Sequence, residues 1–140
     1  MASTDFNIGG VEGQIASLSS QVTALNTHIE NVETVTTTPD GTNASSSSLF
    51  RAFVWDNKIG MAQISFNPKI ALAANTDNAM CSIPSAYAPN SDMWGIAFDR
   101  VNGQVAYLEI NLNGRISIRS NSQIATSTLF RGEIIWFVGK

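Results

Sequence analysis

Eight apolar residues near the N-terminus follow a strict 3,4,3,4,3,4,3 spacing: Ile8, Val11, Ile15, Leu18, Val22, Leu25, Ile29 and Val32. Ile8, Ile15, Val22 and Ile29 take the a positions of a heptad, and Val11, Leu18, Leu25 and Val32 take the d positions. A repeat of 3.5 residues is shorter than the helical turn, so the stripe stays on one face only when helices supercoil left-handedly. A lone helix cannot bury such a stripe, which spans about 37 Å at the α-helical rise. The spacing therefore predicts an N-terminal parallel coiled coil over residues 1–35. No Asn or Lys at an a position selects a dimer, and d carries Val as well as Leu, so a trimer is favoured over a dimer. The flanking positions hold Glu12, Gln14, Ser19, Gln21, Asn26, His28 and Glu33 with no Lys or Arg, leaving the apolar seam as the main cohesive element. Gly9, Gly10 and Gly13 each cost about 1 kcal/mol in a helix and weaken the first heptad.

The 140 residues suffice for this helix and one modest domain. A net charge of −3 argues against a nucleic-acid partner, which requires a basic face. No apolar run approaches the ~20 residues of a membrane span, and Met1–Asp5 lacks the basic and apolar regions of a signal peptide. The expectation is synthesis in a cytoplasm without membrane insertion. Cys81 is the only cysteine, so no intrachain disulfide framework exists.

After the heptads comes a stretch rich in Ser and Thr, residues 36–48, interrupted by Pro39 and Gly41. Pro39 cannot continue a helix, and this composition reads as a linker. From Leu49 onward the apolar pattern changes to period two, with turn residues at short intervals, the mark of an all-β domain. Strands are expected at 49–55, 58–66, 70–73, 94–100, 104–111, 115–119 and 129–138. Residues 74–92, with Pro84 and Pro89, read as a long ordered loop able to hold one short strand. The expected architecture is an antiparallel β-sandwich or barrel head over residues 49–140.

Two Asn-Gly pairs carry register information. At Asn113-Gly114, a three-residue loop places Ile110 opposite Ile116, so the apolar faces agree. The same logic at Asn102-Gly103 places Phe98 opposite Ala106. Both Gly103 and Gly114 are expected at positive φ in a G1 bulge. This register turns Trp94, Ile96, Phe98, Leu108, Ile110, Ile116 and Ile118 to the core, and Gly95, Ala97, Asp99, Tyr107, Glu109, Arg115 and Arg119 outward. The last strand has apolar residues of both parities, Ile134 and Trp136 against Ile135 and Phe137, and so needs cover on both sides. A neighbouring subunit can supply the second.

Catalytic patterns are poor. His28 is the only histidine and lies in the heptads, so the β domain cannot form a Ser-His-Asp or Cys-His set. No Cys/His cluster has metal spacing, and no phosphate-binding glycine loop follows a strand. Asp40, Asp56, Asp77, Asp92, Asp99, Glu109 and Glu133 are scattered, whereas a glycosidase needs a facing pair. The chain reads as a non-enzyme without metal or cofactor. A binding surface is better supported: Tyr107 beside Arg119 and near Glu109, with Asp92 in the long loop, offers a ring to stack on a sugar and groups to bond its hydroxyls. The same residues also suit an ordinary cross-strand surface or a subunit interface.

A heptad neck, a Ser/Thr linker and a small β head resemble the receptor-binding proteins of tailed bacteriophages, of the baseplate and tail-fibre kind found in phages of lactic-acid bacteria. The likeness is carried by Ile83-Pro84-Ser85-Ala86-Tyr87-Ala88-Pro89 ahead of the strand at Trp94–Phe98, and by Asn113-Gly114-Arg115-Ile116-Ser117-Ile118. The resemblance implies a homotrimer on a phage tail, made in the host cytoplasm. Its heads would bind host cell-wall saccharide without chemistry, and its N-terminus would meet other baseplate or tail proteins. The family's binding residues do not map onto this chain, so Asp92, Tyr107, Glu109 and Arg119 follow from the outward face and the long loop alone. Family binding sites often include a His, and this head has none. Two alternatives stand beside this reading: a structural virion part making protein contacts only, and a lectin-like or signalling trimer of cellular origin.

Overall fold

The computed structural model describes the backbone of residues 2–139 and the side chains of residues 9–26 and 31–139. It consists of two compact units, residues 1–32 and 33–140. The first is a single helix, α1 (Ala2–Glu30), which runs through Gly9, Gly10 and Gly13 without a break. Its described seam residues Val11, Ile15, Leu18, Val22 and Leu25 are 47–62% exposed. Ile8, His28 and Ile29 lie outside the described side chains.

The helix ends before the heptad pattern does. Val32 and Glu33, the last d and e positions, belong to strand β1 (Val32–Val35). The run Val32-Glu33-Thr34-Val35-Thr36-Thr37 is rich in β-branched residues, which pack better on a pleated strand than on a helix. Burial decides the outcome, since Val35 enters the core of the β unit.

The stretch expected as a linker, residues 36–48, is instead folded onto the β unit. Strand β2 (Thr38–Pro39) pairs antiparallel with β5 (Asn78–Ser82), Pro39 opposite Cys81. β2 closes one edge of the sheet, the place where a missing N–H is tolerated. The Asp40 carboxylate accepts the N–H groups of Thr42 and Asn43 at 3.0 and 2.9 Å. Lys69 N–H donates to the Asn43 carbonyl, and Ser45 N–H to that of Asn67. Ala44 is buried in the core. Ser, Thr and Asn content signals polarity, but here that polarity is spent on the hydrogen bonds of an ordered turn.

The remaining strands are β3 (Leu49–Trp55), β4 (Ile59–Phe66), β6 (Met93–Asp99), β7 (Val105–Ile110), β8 (Arg115–Arg119) and β9 (Phe130–Phe137). All nine form one curled sheet in the order β1-β3-β4-β9-β6-β7-β8-β5-β2, rather than the two stacked sheets of a sandwich. The expected strand at 70–73 is only a bridge, Leu72 to Ile124, that closes one end of the core. The long loop holds β5 and a 3₁₀ turn, Ser85–Tyr87. The inner faces enclose one core that includes Phe66, Phe130, Leu108, Ile116, Ile134 and Trp136. Trp136 lies opposite Gly60, and a Cβ on that glycine would sit 2.1 Å from the indole, so the ring occupies the space of the absent side chain.

The β7–β8 hairpin has the expected register, with Ile110 opposite Ile116 and Gly114 at φ +81°. A Cβ at Gly114 would also fall 2.5 Å from the Ile83 carbonyl oxygen. Gly103 has a similar φ of +72° but open space around it. The pair separates two costs. Gly103→Ala should lose about 1 kcal/mol from conformation alone. Gly114→Ala should lose about 2–4 kcal/mol, because overpacking is added. Equal losses in urea melts of the two variants would refute this close approach.

The β6–β7 register differs from expectation by one residue. Phe98 lies opposite Val105, not Ala106. The loop therefore has four residues, closed by Asp99 N–H to the Gln104 carbonyl and Gly103 N–H to the Asp99 carbonyl. A one-residue slip turns every side chain over, so Gly95, Ala97 and Asp99 point inward while Trp94, Ile96 and Phe98 point out. Two causes act together. The Asp99 carboxylate, buried in the turn, accepts N–H bonds from Val101, Asn102 and Leu129 and a side-chain bond from Asn102, all at 2.8–3.0 Å. The inner positions of β6 also lie against β9, where a Cβ at Gly95 would sit 2.7 Å from the Glu133 carbonyl oxygen. There is no room for an indole on that side.

Candidate functional site

The outer face of the sheet carries the candidate residues because strand registers align them in rows. One row runs Arg51, Gln63, Glu133, Ile96, Tyr107, Arg119 across β3, β4, β9, β6, β7 and β8. Along β6 and β7, Trp94 stands opposite Glu109. Tyr107 and Arg119 are thus direct cross-strand neighbours, as the sequence implied. Trp94, expected in the core, is 59% exposed on this face.

Glu109 lies in the field of charges of both signs. Burial raises its pKa above the ordinary glutamate value, and the carboxylates of Asp77 and Asp92 raise it further, against the lowering effect of Arg115 and Arg119. These are the charges that surround it, so Asp92, Glu109 and Arg119 do share one neighbourhood. Arg119 Nη1 lies 3.7 Å from Asp77 Oδ1, a half-exposed pair worth little in stability. Arg115 Nε donates to Ser117 Oγ at 3.0 Å, which covers that outward serine.

Sequence reasoning missed two members, Trp94 and Asp77. Trp94 was legible in principle. Asp99 stands four residues before Gly103, and an Asp at the head of such a loop bonds the N–H groups that follow. That turn takes Asp99 inward and sends Trp94 out. Asp77 had no local signal, since only the β5–β8 pairing brings its loop beside Arg119.

The arrangement offers two exposed rings, acceptors from Asp77, Asp92 and Glu109, and donors from Arg115 and Arg119 on an open surface. Two concave regions flank this surface, the first meeting it at Arg115. A cleft of about 400 Å³ is lined by Thr38, Asp40, Gly41, Ser82 and Arg115, among others, at the β2–β5 edge. Another, of about 190 Å³, lies beside Leu49, Arg51 and Arg131. Open rings with flanking polar groups suit a ligand recognised on its face, whereas a deep pocket suits an enclosed one. Among the described residues, no group of three or more His, Cys, Asp or Glu side chains is placed to hold a metal ion. No described helix is long and apolar enough to cross a membrane. Cys81 is buried at the β5 edge of the core, which pushes its thiol up to about 12 and leaves it unreactive at neutral pH.

No family model matches the sequence, and no curated protein matches it. Solved structures do match. The receptor-binding head domain of lactococcal phage bIL170 superposes with a TM-score of 0.60 at 10% identity, covering 76% of this chain and 98% of that one. The chain is similar in fold to phage receptor-binding heads. A second neighbour, the receptor-binding protein gp15 of Listeria phage PSA, has a TM-score of 0.55 at 18% identity, covering 93% of this chain and 80% of that one. Receptor-binding proteins of two different phages therefore share the β architecture with this chain at low identity. The resemblance noted in the Ile83–Pro89 loop and the Asn113-Gly114 hairpin agrees with this likeness.

Proposed function

We propose that the chain is a phage host-recognition module, carried on the virion tail as a homotrimer, whose heads bind host cell-wall saccharide without catalysis. The observation that carries the reading is the exposed Trp94 and Tyr107 beside Glu109 and Arg119, on a fold similar to receptor-binding heads. Aromatic faces stack on the apolar face of a sugar ring, carboxylates accept its hydroxyls, and Arg forks onto a phosphodiester of a wall polymer. Asp92 and Asp77 extend the acceptor set. The neck supports the trimer, since the Val11–Leu25 seam is uncovered within one chain. Its far end would meet other baseplate or tail proteins.

Single sites should bind weakly, with a Kd in the micromolar-to-millimolar range, roughly −8 to −4 kcal/mol. Joined copies then gain avidity without new contacts. Tyr107→Ala, Trp94→Ala and Asp92→Ala each leave the core untouched and are expected to weaken binding to purified wall polysaccharide about tenfold. The mass from light scattering is checked first and should be three chains. Parent-like binding by all three variants would remove this site. Binding should also weaken on acidification at a higher pH than an ordinary glutamate would cause, because the pKa of Glu109 is raised.

A structural role in the virion is the second reading. Exposed Ile96, Phe98, Ile135 and Phe137 favour protein contact there, and screening wall polysaccharides separates the two.

A further inference from the structure

Arg115, at the rim of the ring-bearing surface, begins a second row of polar side chains. It lies opposite Ser82 of β5, and Ser82 lies opposite Thr38 of β2, so the three stand in line on one face. With Asp40 and Gly41 they line the cleft of about 400 Å³ at the β2–β5 edge, a volume in the range of small-molecule sites. The wall formed by the Asp40–Gly41 turn is held in place by the protein itself. Asp40 N–H donates to the Met80 carbonyl at 2.8 Å, and Asn43 Nδ2 to that of Ala79 at 3.0 Å. Lys69 Nζ holds the Gly41 carbonyl at 3.0 Å. The groups that face the cleft keep bonding capacity. Asp40 accepts the N–H groups of Thr42 and Asn43 on Oδ1, which leaves Oδ2 as an acceptor. Arg115 commits Nε to Ser117 Oγ and keeps its two Nη groups as a fork. Thr38 is exposed and Ser82 half-buried, so both hydroxyls lie open to the cleft.

We infer that this β2–β5 cleft is a second binding site, for an open-chain polyol that carries a single negative charge. The inference goes beyond the saccharide surface and does not rest on it. Each part of the ligand follows from a group in the cleft. The Arg115 fork takes an acid group, since charge-assisted bonds from guanidinium to an oxyanion are the strong ones. Thr38, Ser82 and Asp40 Oδ2 supply donors and acceptors for successive hydroxyls. Among the described residues no aromatic side chain lines the cleft. A sugar ring therefore finds no platform to stack on, whereas a flexible polyol needs none. The balance of charge sets the third property. One arginine faces one carboxylate, so the cleft has room for one further negative charge beside Arg115. A phosphomonoester, at about −1.5 to −2 at neutral pH, would bring its second charge against Asp40. A phosphodiester or a carboxylate meets the same requirement with one charge.

The test titrates the full chain with four probes and follows backbone amide shifts by NMR. Glycerophosphoglycerol and gluconate are open-chain polyols with one charge, as diester and as carboxylate. Sorbitol is the neutral open chain, and methyl glucoside the neutral ring. The charged polyols should move the amides of Thr38, Gly41, Ser82 and Arg115 in a saturable way, with a Kd of roughly millimolar order. Sorbitol and methyl glucoside should bind at least about tenfold more weakly, because each lacks the charge-assisted bond. The tighter of the two charged probes identifies the acid group. Arg115→Gln should bring the charged polyols down to the level of sorbitol. Thr38→Val with Ser82→Ala keeps the charge and should weaken glycerophosphoglycerol, gluconate and sorbitol together. Where Arg115→Gln fails to fold, this hydroxyl variant carries the test with the same readout. Sorbitol as tight as the charged polyols overturns the inference, and so does methyl glucoside as tight as either. Cleft amides that stay still up to about 50 mM of every probe also overturn it, well above the millimolar range expected. Shifts that survive both variants unchanged do the same. Trp94→Ala with wall polysaccharide tests the ring surface by itself, so either site can fail without the other.

Discussion

Gly132→Val is expected to destabilise the β unit by about 4 kcal/mol, a large share of the ~5–15 kcal/mol that holds a domain of this size together. Gly132 sits on β9 between Ile64 of β4 and Ala97 of β6. A Cβ there would lie 2.4 Å from the Ile96 carbonyl oxygen and 2.8 Å from Ala97 Cα and Cβ. Two of these three atoms are backbone, so no side-chain rotation relieves the clash. β6 and β9 would have to separate, straining the centre of the sheet and opening the core beside Trp136. Overpacking usually costs about 1–3 kcal/mol, and a rigid neighbour places this site above that range. Urea unfolding followed by tryptophan fluorescence measures it. Gly41→Val, with open space around the glycine, is the control. A Gly132 variant within about 1 kcal/mol of the parent would refute the close packing of β6 on β9.

Asp99→Ala is expected to cost about 2–4 kcal/mol at neutral pH, because it strands several buried N–H donors at once. Burial alone would push the Asp99 carboxyl up. The bonds from Leu129, Val101 and Asn102 outweigh it and hold the pKa below the usual aspartate value. A carboxyl with a lowered folded-state pKa adds stability that is present above the unfolded value, about 3.9. That stability is lost as pH falls through the lowered folded value. The parent should therefore weaken on strong acidification with a slope that Asp99→Asn lacks. Asn keeps the shape but has one acceptor oxygen, so its loss at neutral pH should be smaller than that of Ala. Unfolding free energies between pH 2 and 7 decide the matter. Parallel slopes for parent and Asp99→Asn would remove Asp99 from this role.

Asp99 also explains where the sequence misled. Apolar size and alternation suggested that Trp94, Ile96 and Phe98 face the core, against the turn signal that Asp99 carries. Tertiary space decided otherwise, since the inner side of β6 abuts β9 closely enough to admit only Gly95 and Ala97. The error carried straight into the site, where an exposed tryptophan was assigned to the interior. Tyr107, Glu109 and Arg119 were placed correctly on the outer face because the β7–β8 register follows from one hairpin.

Local signals were sufficient wherever a short stretch of chain specifies its own geometry. The 3,4 spacing dictates a helix whose seam one chain cannot cover. Alternation marks β3, β4, β7 and β8, and Asn113-Gly114 sets a turn that only glycine accepts without strain. Tertiary structure alone decided what depends on distant partners. The Ser/Thr-rich segment became an ordered edge because Met80, Ala79 and Asn67 stood ready to bond it. Val35 left the heptads because the core offered it burial. β5 formed because β8 and β2 supplied both its neighbours. The pairing of β9 with both β4 and β6, distant in the chain, makes the sheet's continuous centre. Period and turn chemistry act over a few residues, whereas the room available on one side of a strand depends on residues far away in the chain.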